Sequence, residues 1–237
     1  MRIVVSHLTR MQRGYMCVAG IDIKTGLHVR PVSTAGRLST KLLSRYGGPF
    51  DMAVVVNLGT PRPLQRKPQT EDYLVDLSKV RTIGTLPDKN FWKLLVRNSE
   101  TKLRNIFGED LLQIGGNSYA VEVGKGSVSL GCLIPGRNPH IYIRRRSDRG
   151  DQVRMRFSDG DLYLDCGITD MRLYGEDHVS PDERTVQRVA ERLQGDMQVI
   201  LSVGLTRAYA SGPDFEPVHW LQINNIHLED DPTWQLG

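Results

Sequence analysis

Two identical tripeptides, Leu8-Thr9-Arg10 and Leu205-Thr206-Arg207, each close an apolar run: Ile3-Val4-Val5-Ser6-His7 in the first case and Val199-Ile200-Leu201-Ser202-Val203-Gly204 in the second. A guanidinium presents a planar fork of N–H donors matched to phosphate or carboxylate oxygens, and a neighbouring threonine adds a hydroxyl donor. Two strand ends built this way would anchor one or two phosphates. The competing reading is that each arginine pairs with a carboxylate at its strand end, with Glu229, Asp230 and Asp231 as available acids. His7 and His219 flank the motifs, where a histidine could act as general acid or base on a nucleotide, hydrogen-bond a ligand, or serve structure alone.

A second basic element lies mid-chain. Over His140 to Phe157, strand alternation places Tyr142, Arg144 and Arg146 on one face and Ile141 and Ile143 on the other, while Arg154 and Arg156 oppose Val153, Met155 and Phe157. Arg137 and Arg149 crowd the same segment. If the arginines share a face, their repulsion is unfavourable unless an anion or an intervening carboxylate compensates it. A single nucleic-acid strand would do so, with phosphates on Arg144, Arg154 and Arg156 and bases stacked on Tyr142. The competing reading is a solvated face whose arginines pair with Asp148, Asp151 or Asp159.

Other chemistries are weakly supported. The phosphate-cradling G-x-x-x-x-G-K-[ST], the dinucleotide G-x-G-x-x-G after a strand and the acyl-transfer G-x-S-x-G are all absent. Cys17, Cys132 and Cys166 are odd in number, widely spaced and without a C-x-x-C pair, which argues for buried thiols over a disulfide framework or a cysteine-based zinc site. His227, Glu229, Asp230 and Asp231 sit close together, but one strand end cannot turn all four toward a single ion. No catalytic residue, no metal and no cofactor is therefore expected.

The elements that position these residues follow from periodicity. Gly14 to Ile23 is a strand, Lys24-Thr25-Gly26 supplies a tight turn, and the return strand Leu27 to Val32 turns His28 and Arg30 to one side. Met52 to Leu58 is a continuous β-branched run suited to a sheet interior. Helical spacing appears after Asp88, with Phe91, Trp92, Leu94 and Leu95, and again after Ser99, with Leu103 and Ile106. From Ser118 short strands resume, separated by turns such as Ser158-Asp159-Gly160-Asp161, at a spacing that suggests a small barrel or sandwich. Ser180-Pro181-Asp182-Glu183 predicts a helix capped by Ser180 and ending at Gly195.

At 237 residues, 39% hydrophobic and 24% charged, with a net charge of +4, the composition is that of an ordinary globular protein with a mild lean toward polyanions. No apolar run approaches the roughly 20 residues of a membrane helix, and Met1-Arg2 leads directly into a strand-like run, so the expected compartment is the cytoplasm, without membrane association.

Ser6-His7-Leu8-Thr9-Arg10, Cys17 to Asp22, Arg30-Pro31-Val32, Gly204 to Arg207 and His219 to Asp230 together resemble the bacterial dual OB domain-containing proteins. The resemblance spans nearly the whole chain and implies two OB-like β-barrels in one chain, mainly β with helical insertions (α+β). It divides the chain into a first barrel over 1–84, a helical connector over 85–115, and a second barrel over 116–237 carrying one helix at about 180–195. The expected function is non-catalytic binding of single-stranded DNA, RNA or a nucleotide. Thr9, Arg10, Arg30, Arg144, Arg154, Arg156, Thr206 and Arg207 would meet phosphates, and Tyr142, His219 and Trp220 would complete the surface. An enzyme acting on a nucleotide or RNA end through His7 or His219, and an interaction module for a protein partner, are the alternatives. Five phosphate contacts to a single strand would give a log-affinity against log-salt slope near −3.5, at about −0.7 each.

Overall fold

The computed structural model describes residues 1–11, 14–34, 36–136, 139–147, 150–213 and 215–234, so Arg137, Asp148 and Arg149 lie outside the described residues. Strands β1 (Arg2–Arg10), β2 (Tyr15–Asp22), β3 (His28–Ser33), β4 (Leu38–Ser39), β5 (Val54–Asn57), β6 (Arg62–Pro63), β7 (Asp72–Val75) and β8 (Arg81–Thr85) form an eight-stranded sheet of order β6-β7-β3-β2-β1-β5-β8, with β4 on the edge of β2. Helix α1 (Asp88–Arg97) follows, then β9 (Ser99–Glu100) and the short α2 (Leu103–Phe107). Strands β10 (Leu112–Gly115), β11 (Ser118–Glu122) and β12 (Leu130–Leu133) join a second sheet. A three-stranded sheet of β13 (His140–Arg144), β14 (Gln152–Ser158) and β15 (Tyr163–Gly167) comes next, and α3 (Glu183–Arg192), β16 (Val199–Leu205) and β17 (Val218–Leu228) complete the chain. The second sheet runs β10-β11-β17-β16-β12-β9.

The protein is mostly β, as its alternating and β-branched runs predict. The expected closed barrels do not appear in the pairing: among the described residues the sheets run open from edge to edge. The parallel pairing of β3 with β7 and the crossover order fit the partly open Greek-key character of small β-barrels. Two hydrophobic cores fill the halves, one around Ile3, Phe50 and Phe91 and the other around Phe107, Phe157 and Trp234. The cores are not cleanly divided by sequence, since Cys132, Met171 and Ile200 pack into the first. Helix α1 seals the first core with Phe91 and Leu95, with Trp92 packed against it, and α2 seals the second with Leu103 and Phe107.

The seam between the halves explains why β1 and β16 are apolar without alternation: both are buried along nearly their whole length. The Asn225 side-chain amide accepts from Leu8 N at 2.7 Å and donates to Leu8 O at 3.1 Å, pairing with the edge of β1 as a peptide would. Further along, Arg10 N donates to Thr169 O at 2.8 Å and Thr169 N to Ile223 O at 2.9 Å, so residues 168–170 bridge the end of β1 to β17. A bulge interrupts each half of the seam. The β1–β2 register skips Ser6 between Val5 and His7, and the β16–β17 register skips Asn224. A bulge re-aims the side chains around it, and here the two point His7 and Asn224 at one another.

Turn chemistry is as the sequence predicts at 158–161, where Asp159 Oδ1 accepts from the amides of Asp161 and Leu162. The α3 cap is a correction. Asp182, not Ser180, is the N-cap, its carboxylate accepting from Arg184 N and Thr185 N, because Pro181 is held in a bridge with Tyr174 and Ser180 Oγ is turned to Asp177.

Candidate functional site

The two Leu-Thr-Arg strand ends meet. Because residues 168–170 carry the end of β1 onto β17, and Thr206 pairs with Trp220 on that same strand, Thr9, Arg10, Thr206 and Arg207 all line one cleft of about 680 Å³ along the seam. Arg30 and Arg37 line it too, and among the described lining residues there is no Asp or Glu. A cleft walled by arginine, threonine hydroxyls and apolar side chains is in the volume range of small-ligand sites and has positive charge and hydroxyl donors on its wall.

Each arginine is held differently. Arg30, 6% exposed, sends Nε to Asp72 at 2.6 Å and a terminal nitrogen to Ser129 Oγ at 3.2 Å, so its charge is fixed in the wall. Asp72 spends its other oxygen on Arg207, also at 2.6 Å, and one carboxylate thereby sets two guanidinium groups side by side. Arg207 keeps more than half of its side chain exposed. Among the described residues Arg10 has no carboxylate partner and its Nε no hydrogen-bond partner: it lies 3.9 Å over the Tyr174 ring and donates to His178 O at 3.3 Å. A buried N–H without an acceptor is costly. Asp230 and Asp231, the acids considered for these arginines, pair with Arg192 instead.

The threonines are part committed. Thr206 Oγ1 accepts from Trp220 N at 2.9 Å, leaving its proton to donate, and Thr9 Oγ1 makes a long contact, 3.4 Å, to Cys17 O. His219 is buried, with Nδ1 2.9 Å from Thr206 O and 3.0 Å from Gln69 Nε2, so it braces the second strand end. Trp220 lies half-buried beside Tyr209, with Nε1 donating to Tyr209 O at 3.2 Å, and both rings border a smaller cavity of about 230 Å³ that shares Arg10, Thr169 and Thr206 with the cleft.

The hairpin residues are placed elsewhere and otherwise. Register sets Tyr142 opposite Arg154 and His140 opposite Arg156, so the arginines do share a face. The compensating group is Asp165 on β15, a residue the sequence reading passed over. It pairs with Arg154 at 2.8 Å, Arg144 at 3.2 Å and Arg156 at 3.6 Å, and accepts from the Tyr142 hydroxyl at 2.7 Å. Burial works to raise the Asp165 carboxyl, but the Tyr142 hydroxyl and the Arg154 guanidinium outweigh it and hold the group below the usual carboxylate range. Tyr142 is also covered by the Arg156 guanidinium, 4.9 Å from its ring.

Beneath the cleft lies a polar knot. Burial drives His7 well below its ordinary value, helped by His28, His227 and Arg30, and burial takes His28 and His227 to about 4. All three are neutral imidazoles at pH 7. Ser202 Oγ lies 3.0 Å from Ser6 O, which accepts its proton, and 2.9 Å from His227 Nε2. Burial pushes the Cys132 and Cys166 thiols up to about 12, so neither is a nucleophile as it stands. Asp72 and Asn224 also escaped the sequence reading. Their signals were polar residues beside or within short apolar runs, Glu71-Asp72 before Tyr73-Leu74-Val75 and Asn224-Asn225 inside Trp220 to Ile226.

A family model described as a dual OB-containing domain matches residues 1–226, and the chain belongs to that family. No curated protein matches the chain.

Proposed function

We propose that this dual OB-containing chain is a non-catalytic binding module whose seam cleft takes a phosphate-bearing ligand, a free nucleotide or a nucleotide unit of a single nucleic-acid strand. The observation that carries the reading is the convergence of both Thr-Arg strand ends and Arg30 on one cleft that has four arginines and, among its described lining residues, no carboxylate. Arg10 would bring its guanidinium charge to a phosphate from the cleft wall, Arg207 would turn its exposed edge to the same group, and Thr206 would donate its hydroxyl proton. Arg30 acts as fixed positive charge in the wall. Bases would stack toward Trp220 and Tyr209 at the smaller cavity that shares Arg10 and Thr206 with the cleft. OB-containing domains are binding modules, which agrees with this reading at the level of fold.

The test is a calorimetric and mobility-shift panel of nucleoside mono- and triphosphates and of single- and double-stranded DNA and RNA at two salt concentrations. Saturable binding to a nucleotide or single strand, weakened by salt, supports the proposal; no binding to any member sinks it. The enzyme alternative keeps one supporting observation, His7 on the cleft wall with its Nε2 unpartnered among the described residues. Turnover of a bound nucleotide that disappears in His7→Gln would replace the binding-only reading.

A further inference from the structure

Three side chains at the seam, one from each of three strands, bring their ligating atoms together: His7 on β1, His28 on β3 and Cys132 on β12, all within 4.8 Å of one another. We propose that they form a binding site for a zinc-class transition metal ion, with the fourth coordination position open toward the cleft. The proposal does not depend on what the cleft binds.

Geometry comes first. Tetrahedral zinc holds imidazole nitrogen at about 2.0–2.1 Å and thiolate sulfur at about 2.3 Å, so bound nitrogen and sulfur stand roughly 3.6 Å apart. His28 Nε2 and Cys132 Sγ are 3.7 Å apart. The His7 and His28 rings meet edge to face at 5.2 Å between centroids, so a modest rotation of His7 brings the third donor to the same point.

The second observation is a deficit. His7 is 1% exposed, yet its Nε2 has no hydrogen-bond partner among the described residues. Buried polar atoms are almost always satisfied, and one left alone costs about 1–3 kcal/mol. A metal ion would satisfy it. The opposite ring nitrogen is already braced, with Nδ1 3.1 Å from the Asn224 amide, and Gln222 holds that amide in turn at 2.8 Å. A ligating histidine needs its far nitrogen protonated and held by an acceptor; Asn224 Nδ2 faces Nδ1 and Asn224 Oδ1 accepts from Gln222, so turning the Gln222 and Asn224 amides together keeps their mutual bond and presents the Asn224 oxygen to Nδ1–H. Gly204 makes room for it, since a Cβ there would stand 2.5 Å from Asn224 Nδ2.

The ligand chemistry is consistent with the class. Two imidazoles and one thiol suit zinc and its softer neighbours rather than calcium or magnesium, which need oxygen. Binding would convert the Cys132 thiol to thiolate with release of one proton, so affinity should climb with pH. Three protein ligands with an open position is the arrangement of sites that also hold water or a ligand oxygen, and His7 lines the cleft.

Cobalt(II) serves as the spectroscopic probe and zinc as its competitor. The wild-type protein should bind one equivalent of cobalt with a near-ultraviolet thiolate-to-metal band, and zinc should erase the band. Cys17→Ser should keep the band, Cys132→Ser should lose it, and His28→Gln should weaken zinc binding at least 100-fold in a chelator competition. No band at saturating cobalt, or a band that survives in Cys132→Ser, overturns the site. Should Cys132→Ser fail to fold, the competition in His28→Gln decides, and unchanged zinc affinity there overturns it equally.

Discussion

The seam cleft and the β13–β15 sheet are both built of arginines on strands, and they differ in where the counter-charge stands. On the sheet a single carboxylate, Asp165, sits in the middle of Arg144, Arg154 and Arg156, and the Tyr142 hydroxyl takes one of its lone pairs. In the cleft Asp72 stands behind Arg30 and Arg207 and, among the described residues, leaves Arg10 without a carboxylate, so the outward side remains positive. Density of arginine in sequence measures neither; the position of the acid decides whether a basic cluster is neutralised on its own face or keeps charge directed outward.

The largest effects should come from breaking the buried pairs behind each surface. Arg30→Met leaves Asp72, only 2% exposed, with the more exposed Arg207 as its remaining ion-pair partner among the described residues, and should cost about 3 kcal/mol in urea unfolding. Arg156→Ala, which removes a half-exposed partner, should change stability by less than about 1 kcal/mol. Equal costs would mean the two regions are held alike. Asp165→Asn should cost about 3 kcal/mol and at the same time uncover three arginines.

Acid should separate the regions by pH. His227 is fully buried and its folded value, about 4, lies below the ordinary 6.5. Between these values the unfolded chain binds a proton the folded chain refuses, so the stability present above pH 6.5 is lost as pH falls toward 4, on the order of 3 kcal/mol from His227 at about 1.4 kcal/mol per pH unit. Asp165 is depressed instead, so its contribution is retained through this window and lost only below the ordinary carboxylate range. Hydrogen exchange should show the seam opening first as pH falls from 6.5 and the β13–β15 sheet holding until below about 4. The reverse order would break the contrast.

Much of this was legible in the sequence and some was not. The apolar run ending in Thr9-Arg10, the hairpin after Asp22, and the turn at Asp159 follow from residue type and period, whereas the sharing of one face by Arg144, Arg154 and Arg156 hung on a register that the β13–β14 pairing supplies. What periodicity could not supply was the third dimension. It placed no carboxylate against those arginines, because Asp165 reaches them only through the pairing of β14 with β15. It gave no hint that β1 docks on β17 through Asn225, since a single amide in an apolar run carries no partner's address. The open ladders came from the same gap, because closure depends on sheet geometry and leaves no mark on any one strand. His7, His28 and Cys132 are remote from one another in the chain, and no spacing rule joins them.

The smallest expected effect is on the salt dependence of oligonucleotide binding. With Arg10, Arg30 and Arg207 engaged, the slope should be near −2 instead of −3.5, at about −0.7 per contact, and in Asp165→Asn it should steepen toward about −4 as three arginines are released. A wild-type slope already near −4 would place the hairpin in the interface.

The central claim, that the cleft and not the hairpin meets phosphate, is tested most directly by one paired titration. Binding of a short single-stranded oligonucleotide, or of the tightest nucleotide from the panel, is measured in Arg10→Ala/Arg207→Ala and in Arg144→Ala/Arg156→Ala. The cleft pair should lose affinity by at least about 100-fold, from roughly 1.5–3 kcal/mol per charged hydrogen bond, while the hairpin pair stays within about two-fold of wild type. Loss in the hairpin pair with affinity retained in the cleft pair would contradict the account.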